Sequence, residues 1–373
     1  MNEALTRGLR TIGRMMLRGV GGVVVVALGY LVLTQTGCYF IRAGWEEGKI
    51  LKHRRSISDM VNDSATAPAV RQKLRLVLEA RAFGADSIHL NAGRSFTKFT
   101  ALESDTLVLV LSGAYRDQLK PKTWWFPIVG RVPYKGFFDV ESAKRAAATL
   151  DADGFDVYLR PASAFSTLGW FNDPLLSTTL RSDSLELANT IIHEITHNTF
   201  YAGGHADFNE SFANFVGARG AAWFFRSHGY TAAAEEVEAR WNDEKVMAGF
   251  WAGLYASIDS AFKAHPNERD ARLAARDTIY RAGRVTLVNE LGPNMRTIRP
   301  RTLERMRLDN GALLAHRIYL TDVAVFDELW EKQGRNLPAT VSRIIELAKS
   351  DPKHPFDAVR NAIAKPSAPK PTP

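Results

Sequence analysis

The chain has 373 residues, of which 46% are hydrophobic and 24% charged, an ordinary balance for a folded protein with ample core in one large domain or two small ones. Its 48 basic and 40 acidic residues leave a net charge of +8, but the excess is spread along the chain and part of it precedes Gly19, so no nucleic-acid partner is expected. With one cysteine, Cys38, no intrachain disulfide is possible.

The amino end reads as an export signal. Arg7, Arg10, Arg14 and Arg18 precede an apolar run from Val20 to Leu33, which has the length of a signal-peptide core and is short for a full membrane span. Positive charge ahead of the run keeps the amino end cytoplasmic and sends the remainder of the chain outside. Thr36-Gly37-Cys38 has the form of the end of a lipoprotein signal, with Gln35 where an aliphatic residue is usual. Two expectations stand: cleavage and lipidation at Cys38, or an uncleaved anchor that includes Gly19 to Phe40. Either way residues 1–38 are a signal or anchor segment. The rest is expected to be held at a membrane outside the cytoplasm, on the periplasmic side or in the cell envelope.

Residues 39–349 are read as one domain. Ala67 to Phe83 is an amphipathic helix with Leu74, Leu76, Val77 and Ala80 on its apolar face and Gly84 as its stop. Phe96 to Thr100 and Thr106 to Leu111 read as strands. Trp124 to Phe138 is aromatic and broken by Pro127, Gly130, Pro133 and Gly136, so it cannot be a long helix. Glu141 to Leu150 reads as a short helix and Phe155 to Leu159 as a strand.

The chemistry concentrates in Asp183 to Phe225. Asp183 with Glu186 has the form of a capping box, and Leu187, Thr190, Ile191 and Phe200 come after it near helical spacing. His193-Glu194-Ile195-Thr196-His197 is H-E-x-x-H. Histidines four apart on a helix sit one turn apart on one side, where their imidazoles can meet a single ion. Glu194 is rotated by about 100° from His193 on a helix of 3.6 residues per turn, beside the ion and not on it, where a general base for an attacking water has to stand. A catalytic zinc needs a third protein ligand and an open fourth position. Gly203-Gly204 closes the first helix, and a second, starting near Asp207, carries Glu210. Glu210 is the preferred third ligand; His205, in the turn, is its rival. His193, His197 and Glu210 would form a His₂Glu zinc site, with zinc favoured over other divalent ions by that ligand set.

The run Phe208-Asn209-Glu210-Ser211-Phe212-Ala213, behind H-E-x-x-H, resembles the predicted bacterial aminopeptidases of the gluzincin type. So do Trp125-Phe126-Pro127-Ile128 with Gly130, Tyr134-Lys135-Gly136-Phe137-Phe138, Gly154-Phe155-Asp156-Val157-Tyr158, and Ala164-Phe165-Ser166-Thr167-Leu168-Gly169-Trp170-Phe171-Asn172-Asp173-Pro174. The resemblance runs from about Gly37 to Ile345. It implies a zinc-dependent peptidase with His193, His197 and Glu210 as ligands and Glu194 as base. The chain departs from the family pattern at Asn198, where Gln is usual, and at Gly217, where an acid is usual. It has no G-x-M-E-N segment of the kind that grips a free amino terminus in the large zinc aminopeptidases. Peptidases of this kind run an edge strand antiparallel to an extended substrate. Ala164 to Trp170 is the candidate for that edge or the loop over it, with Thr167, Leu168, Gly169 and Trp170 as substrate-binding residues.

Beyond Phe225 the chain reads as mostly helical: Ala232 to Ala264, Asn267 to Ala282 with an Asn cap, Leu303 to Leu320, and Val323 to Trp330. The gluzincin mechanism needs an oxyanion donor, often a Tyr or His from a later helix; Tyr319 is the first candidate and His316 the second, with a packing role in the core as the competing reading of Tyr319. Residues 350–373 are read as a Pro-rich disordered tail. The expectation is an α+β, zincin-like domain with a largely helical carboxyl-terminal half, behind the amino-terminal anchor or lipoprotein signal. It would be a membrane-tethered zinc metallopeptidase acting on peptides, an aminopeptidase by resemblance. Two readings compete with it: a non-catalytic binding or chaperone-like protein on the same scaffold, and a zinc amidase acting on cell-wall fragments.

Overall fold

Ser56, Asp139, Asp183, Asp309 and Asn336 each start a helix by accepting from a free amide of its first turn. The computed structural model describes residues 52, 54–102, 109–126, 130–137, 139–161 and 174–364. The chain divides into two compact units. Of the first, Met1–His53 with Phe126–Gly130, almost all lies outside the described residues, including the expected signal and Cys38. The second, Arg54–Trp125 with Arg131–Pro373, carries the helices and sheets around the candidate site.

In chain order it runs β1 (Arg55–Ser56), α1 (Ile57–Asn62), α2 (Pro68–Asp86), β2 (Lys98–Thr100) and β3 (Leu109–Tyr115). Next come the hairpin strands β4 (Trp124–Phe126) and β5 (Gly130–Val132), then β6 (Tyr134–Phe137), α3 (Val140–Ala152), β7 (Phe155–Pro161), β8 (Leu175–Leu176) and α4 (Ser177–Leu180). The rest is helical: α5 (Ser184–Thr199), α6 (Ala206–Ser227), α7 (Thr231–Ala264), α8 (Arg269–Val285), α9 (Pro300–Arg305), α10 (Asn310–Leu320), α11 (Val323–Lys332), α12 (Leu337–Ser350) and α13 (Pro355–Ala364). Helices thus dominate beside small sheets, which agrees with the expected α+β class. Among the described residues no helix is long and apolar enough to cross a membrane.

The centre is the pair α5 and α6. Leu187, Ala188, Ile191, Ile192 and Ile195 of α5 are fully buried, on the stripe that a period of 3.6 puts together. Phe208, Phe212 and Phe215 of α6 stack against Phe326 of α11, and Phe356 of α13 closes the same cluster. Burying each such side chain contributes about 1.5–3 kcal/mol. α5 and α6 approach closely because Gly217 and Gly220 carry no side chain: a Cβ on Gly217 would stand 2.4 Å from Asn189 Oδ1, and one on Gly220 2.9 Å from Ile192 Cγ2. At Gly217 the Asn189 side chain fills the space.

The second sheet places the wall of the site. Its order is β6–β3–β7, antiparallel throughout, with Val110 opposite both Gly136 and Arg160, and Ser112 opposite both Tyr134 and Tyr158. Leu111 and Val157 pack with Leu150 of α3 on one face. The alternate residues Asp156, Tyr158 and Arg160 take the other face, and all three meet α10.

Several boundaries differ from those expected. Gly84 does not end α2, which runs on to Asp86; a Cβ there would stand 2.5 Å from Ile195 Cδ1, so this glycine serves packing against α5. α8 begins at Arg269 with no side-chain cap. Asn267 gives way to a turn held by Arg272, whose Nη1 donates to the carbonyls of His265 and Pro266 at 2.8 Å each. The single helix expected over Leu303 to Leu320 is two, α9 and α10. Asp309 starts the second by accepting from Ala312 N at 2.8 Å, while buried Asn310 is tied to Tyr115 O at 2.8 Å and by its own N–H to Asp156 at 3.0 Å. The tail expected from residue 350 opens with α13, entered through Pro355 and anchored by fully buried Val359. Residues 365–373 lie outside the described residues, as does Ala164 to Trp170 with Thr167, Leu168, Gly169 and Trp170.

Candidate metal centre

α5 starts where the sequence places it: Asp183 accepts from Glu186 N at 2.9 Å. It ends at Thr199, and Gly204 takes φ +83° in the turn before α6, a conformation that costs glycine nothing. The turn is latched by buried Asn209. Its Oδ1 accepts from Ala202 N at 2.7 Å and its Nδ2 donates to Ala202 O at 2.8 Å. The next residue, Glu210, is thereby aimed at α5.

Three donor groups converge. His193 Nε2 lies 3.2 Å from His197 Nε2, 3.5 Å from Glu210 Oε2, and His197 Nε2 lies 3.8 Å from Glu210 Oε1. These are the three residues whose ligand atoms all fall within 4.8 Å of one another among the described residues. Two ligands about 2.0–2.1 Å from one tetrahedral ion stand about 3.3–3.4 Å apart, so the triangle has the size of a tetrahedral face. Donor chemistry and spacing both fit one divalent cation. His205 sits at the entry to α6 and is not in the cluster.

Electrostatics follow from burial. Burial pushes the His193 imidazolium down, but its hydrogen bond to Glu210, with the charges of Glu194 and Glu210, outweighs that and holds its pKa above the usual value. Burial and the neighbouring His193 push His197 down to about 4. Burial raises Glu210, yet its bond to His193 and the charges of His193, His197 and Arg160 bring it below the usual carboxylate range. Without an ion these shifts favour a charged Glu210, a neutral His197 and a proton on His193. Glu194 is half-buried on α5 beside them, and its charge acts on His193.

A second layer surrounds the ligand atoms. Asn214, four residues after Glu210 on α6, stands close enough to His193 to help raise its pKa and donates through Nδ2 to Tyr319 O at 2.7 Å. The bond to Tyr319 ties α10 to the site. The Tyr319 hydroxyl accepts from Arg160 Nη2 at 2.6 Å, with the guanidinium 4.9 Å above its ring. Burial first, and Glu210 after it, raise the Tyr319 pKa, so the phenol keeps a proton to donate. Tyr134 of β6 and Tyr201 of the turn, 48% and 43% exposed, flank the site; both phenols interact electrostatically, Glu210 acts on Tyr134, and Tyr201 lies 6.4 Å from the His197 ring.

The sequence-derived residues thus separate. His193, Glu194, His197, Glu210 and Tyr319 share one neighbourhood. His316 does not face it: it stacks on Trp251 at 4.6 Å, touches Tyr158 Oη at 3.4 Å, and burial pushes it down to about 4. Asn214, Arg160, Tyr134 and Tyr201 join the site without having stood out in the sequence. Asn214 has a signal there, since an i, i+4 partner of Glu210 shares its helix face. Arg160 and Tyr134 come from a sheet whose register no local pattern reveals.

A family model described as "Putative aminopeptidase" matches residues 38–358. No curated protein matches the chain, and no solved structure does.

Proposed function

The chain belongs to the "Putative aminopeptidase" family, and on that premise we propose that it is a zinc-dependent peptidase of the gluzincin type on a zincin-like scaffold, with His193, His197 and Glu210 as metal ligands. The observation that carries this reading is the convergence of two imidazole nitrogens and a carboxylate within 3.2–3.8 Å, next to an acid that is not one of the three. When bound, zinc supplies Lewis-acid polarisation of the scissile carbonyl and acidifies water toward pH 7.

The chain's own residues do the rest. Glu194 takes the proton of the attacking water and delivers it to the leaving amine. Tyr319, protonated and half-buried, donates to the oxygen that becomes negative as the carbonyl is attacked. Asn214, beside His193, ties α10 to the site. Thr167, Leu168, Gly169 and Trp170 remain the candidates for an edge that pairs with the substrate backbone. The amino-terminal segment, by lipidation at Cys38 or as an anchor, would hold this domain at a membrane outside the cytoplasm; cell fractionation of the full chain against Cys38→Ala separates the two.

The deciding experiment compares the purified protein with Glu194→Gln. About one zinc per chain in both, with peptide hydrolysis lower by roughly 10²–10⁴-fold in the variant, is the expected result. Hydrolysis at the normal rate by Glu194→Gln would overturn the mechanism. Acetylating the amino end of a cleaved peptide tests the aminopeptidase reading, which predicts that cleavage is lost.

A further inference from the structure

The face of β7 that meets α10 carries three polar side chains, and two are satisfied by structural partners. Asp156 accepts from Asn310 N at 3.0 Å and pairs with Arg276 and with Arg116 Nε at 3.3 Å. Tyr158 meets His316. Among the described residues the side chain of Arg160, the third, contacts only Tyr319, by one hydrogen bond to its hydroxyl at 2.6 Å and with the guanidinium 4.9 Å from its ring centroid. Among the described residues no carboxylate pairs with it.

A guanidinium has five N–H donors in a rigid fork. Here one nitrogen is held by the Tyr319 phenol and the guanidinium carbon stands 4.9 Å from the same ring's centroid, which leaves most of the fork unused. Taking a cation partly out of water without an anion is unfavourable. The charge reaches the site, because Arg160 lowers the pKa of Glu210, Tyr319 and Tyr134. Glu210 is beyond pairing distance and, under the proposed function, is committed to the metal.

We propose that Arg160 is a substrate-binding residue that receives a carboxylate carried by the peptide close to the bond that is cleaved. The carboxylate has two possible sources, the chain terminus of a short peptide or an acidic side chain next to the scissile bond. The fork geometry favours a planar anion bound through two parallel N–H···O bonds, and Tyr319 holds the guanidinium in place for it. This inference rests on the peptidase reading and adds to it a substrate class, peptides with an anionic group beside the site.

The test uses zinc-loaded full chain carrying Glu194→Gln, so that peptides bind without turnover, and reads affinity by calorimetry. One pair of probes is Ala-Leu-Ala with a free carboxylate against its amide. The other is Ala-Leu-Glu-Ala-Ala amide against Ala-Leu-Gln-Ala-Ala amide. The charged member of one pair is expected to bind about 10- to 100-fold more tightly, the range of a charge-assisted bond, and the pair that responds names the source. Arg160→Gln should bring the charged member down to the uncharged one, and Arg160→Lys should recover part of the difference. Equal binding within both pairs, or a preference that survives Arg160→Gln, overturns the proposal.

The same peptides given to the protein with Glu194 intact read kcat and KM. A fall in kcat on every peptide alike in Arg160→Gln, with no change in charge preference, would make Arg160 a positioning residue for Tyr319 and overturn the proposal. If none of the peptides is cleaved, the peptidase reading fails, while the binding comparison still decides for or against a carboxylate subsite.

Discussion

Glu210 and Asp327 are both acids set into the helical core, and they keep opposite company. Asp327 of α11 accepts from Arg219 Nε at 2.8 Å, Trp241 Nε1 at 2.9 Å and Lys245 Nζ at 2.6 Å. Every neighbour brings a proton, so the carboxylate is complete as folded and joins α6, α7 and α11. Glu210 is gathered with two imidazole nitrogens instead, and the group as a whole carries more lone pairs than protons. An acid whose neighbours are all donors serves the fold; one gathered with imidazoles whose lone pairs outnumber their protons calls for a cation. The contrast is visible in distances and donor types alone.

The largest expected effect comes from this contrast. Glu210→Ala should reduce bound zinc from about one per chain to none by elemental analysis, with folding retained by circular dichroism, because the acid takes no part in a structural network. His205→Ala should leave zinc in place. The reverse pattern would move the third ligand to the turn. Asp327→Ala should do the opposite, leaving partly buried Arg219 and Lys245 without their anion at a cost of up to about 3–5 kcal/mol. It would appear as a lower denaturation midpoint, with zinc stoichiometry unchanged in whatever remains folded. Loss of zinc at full stability in Asp327→Ala would erase the distinction between the two acids.

A smaller effect sharpens the comparison at the turn. Asn209→Ala removes both bonds to Ala202, leaving a buried amide and carbonyl unpaired at about 1–3 kcal/mol for such a group. Since the latch aims Glu210, zinc affinity should fall as well, by the 10–100-fold typical of residues behind a metal ligand. Chelator competition measures it. Unchanged affinity with lowered stability would show that Glu210 finds its place without the latch.

The same division runs through what is legible in the sequence. His193, Glu194, His197 and Glu210 lie on two consecutive helices joined by a glycine turn, so local spacing carries their arrangement, and the family blocks agree with the match over residues 38–358. The capping of α5 by Asp183 is equally local. Arg160 and Tyr134 reach the site only through the β6–β3–β7 register and the docking of α10, contacts between residues as far apart in the chain as Arg160 and Tyr319. Gly84 deceives for a related reason: a glycine that serves as a helix stop and one that admits Ile195 of another helix look identical along the chain. The break before α10 is hidden because Asp309 caps a helix whose seat is Asp156 on β7.

The smallest effect concerns protons. His193 is held above its usual pKa by Glu210, whereas burial and His193 keep His197 neutral down to about 4. The metal-free site therefore carries one proton on its two imidazoles at pH values below the raised His193 pKa, and a ligating imidazole must shed it. Zinc affinity should fall as pH falls through that pKa, by about tenfold per pH unit, the slope for displacement of a single proton. Two independent histidines of ordinary pKa would instead give a slope approaching two below about pH 6.5. Competition titrations with a chelator of known proton affinity, from about pH 5 to 8 on either side of the ordinary imidazole pKa, separate these cases. The His193→Ala chain is the control, since with that imidazole absent the single-proton slope should vanish along with most of the affinity. A slope of two in the intact protein would mean that the imidazoles titrate separately, and that Glu210 does not hold the proton on His193.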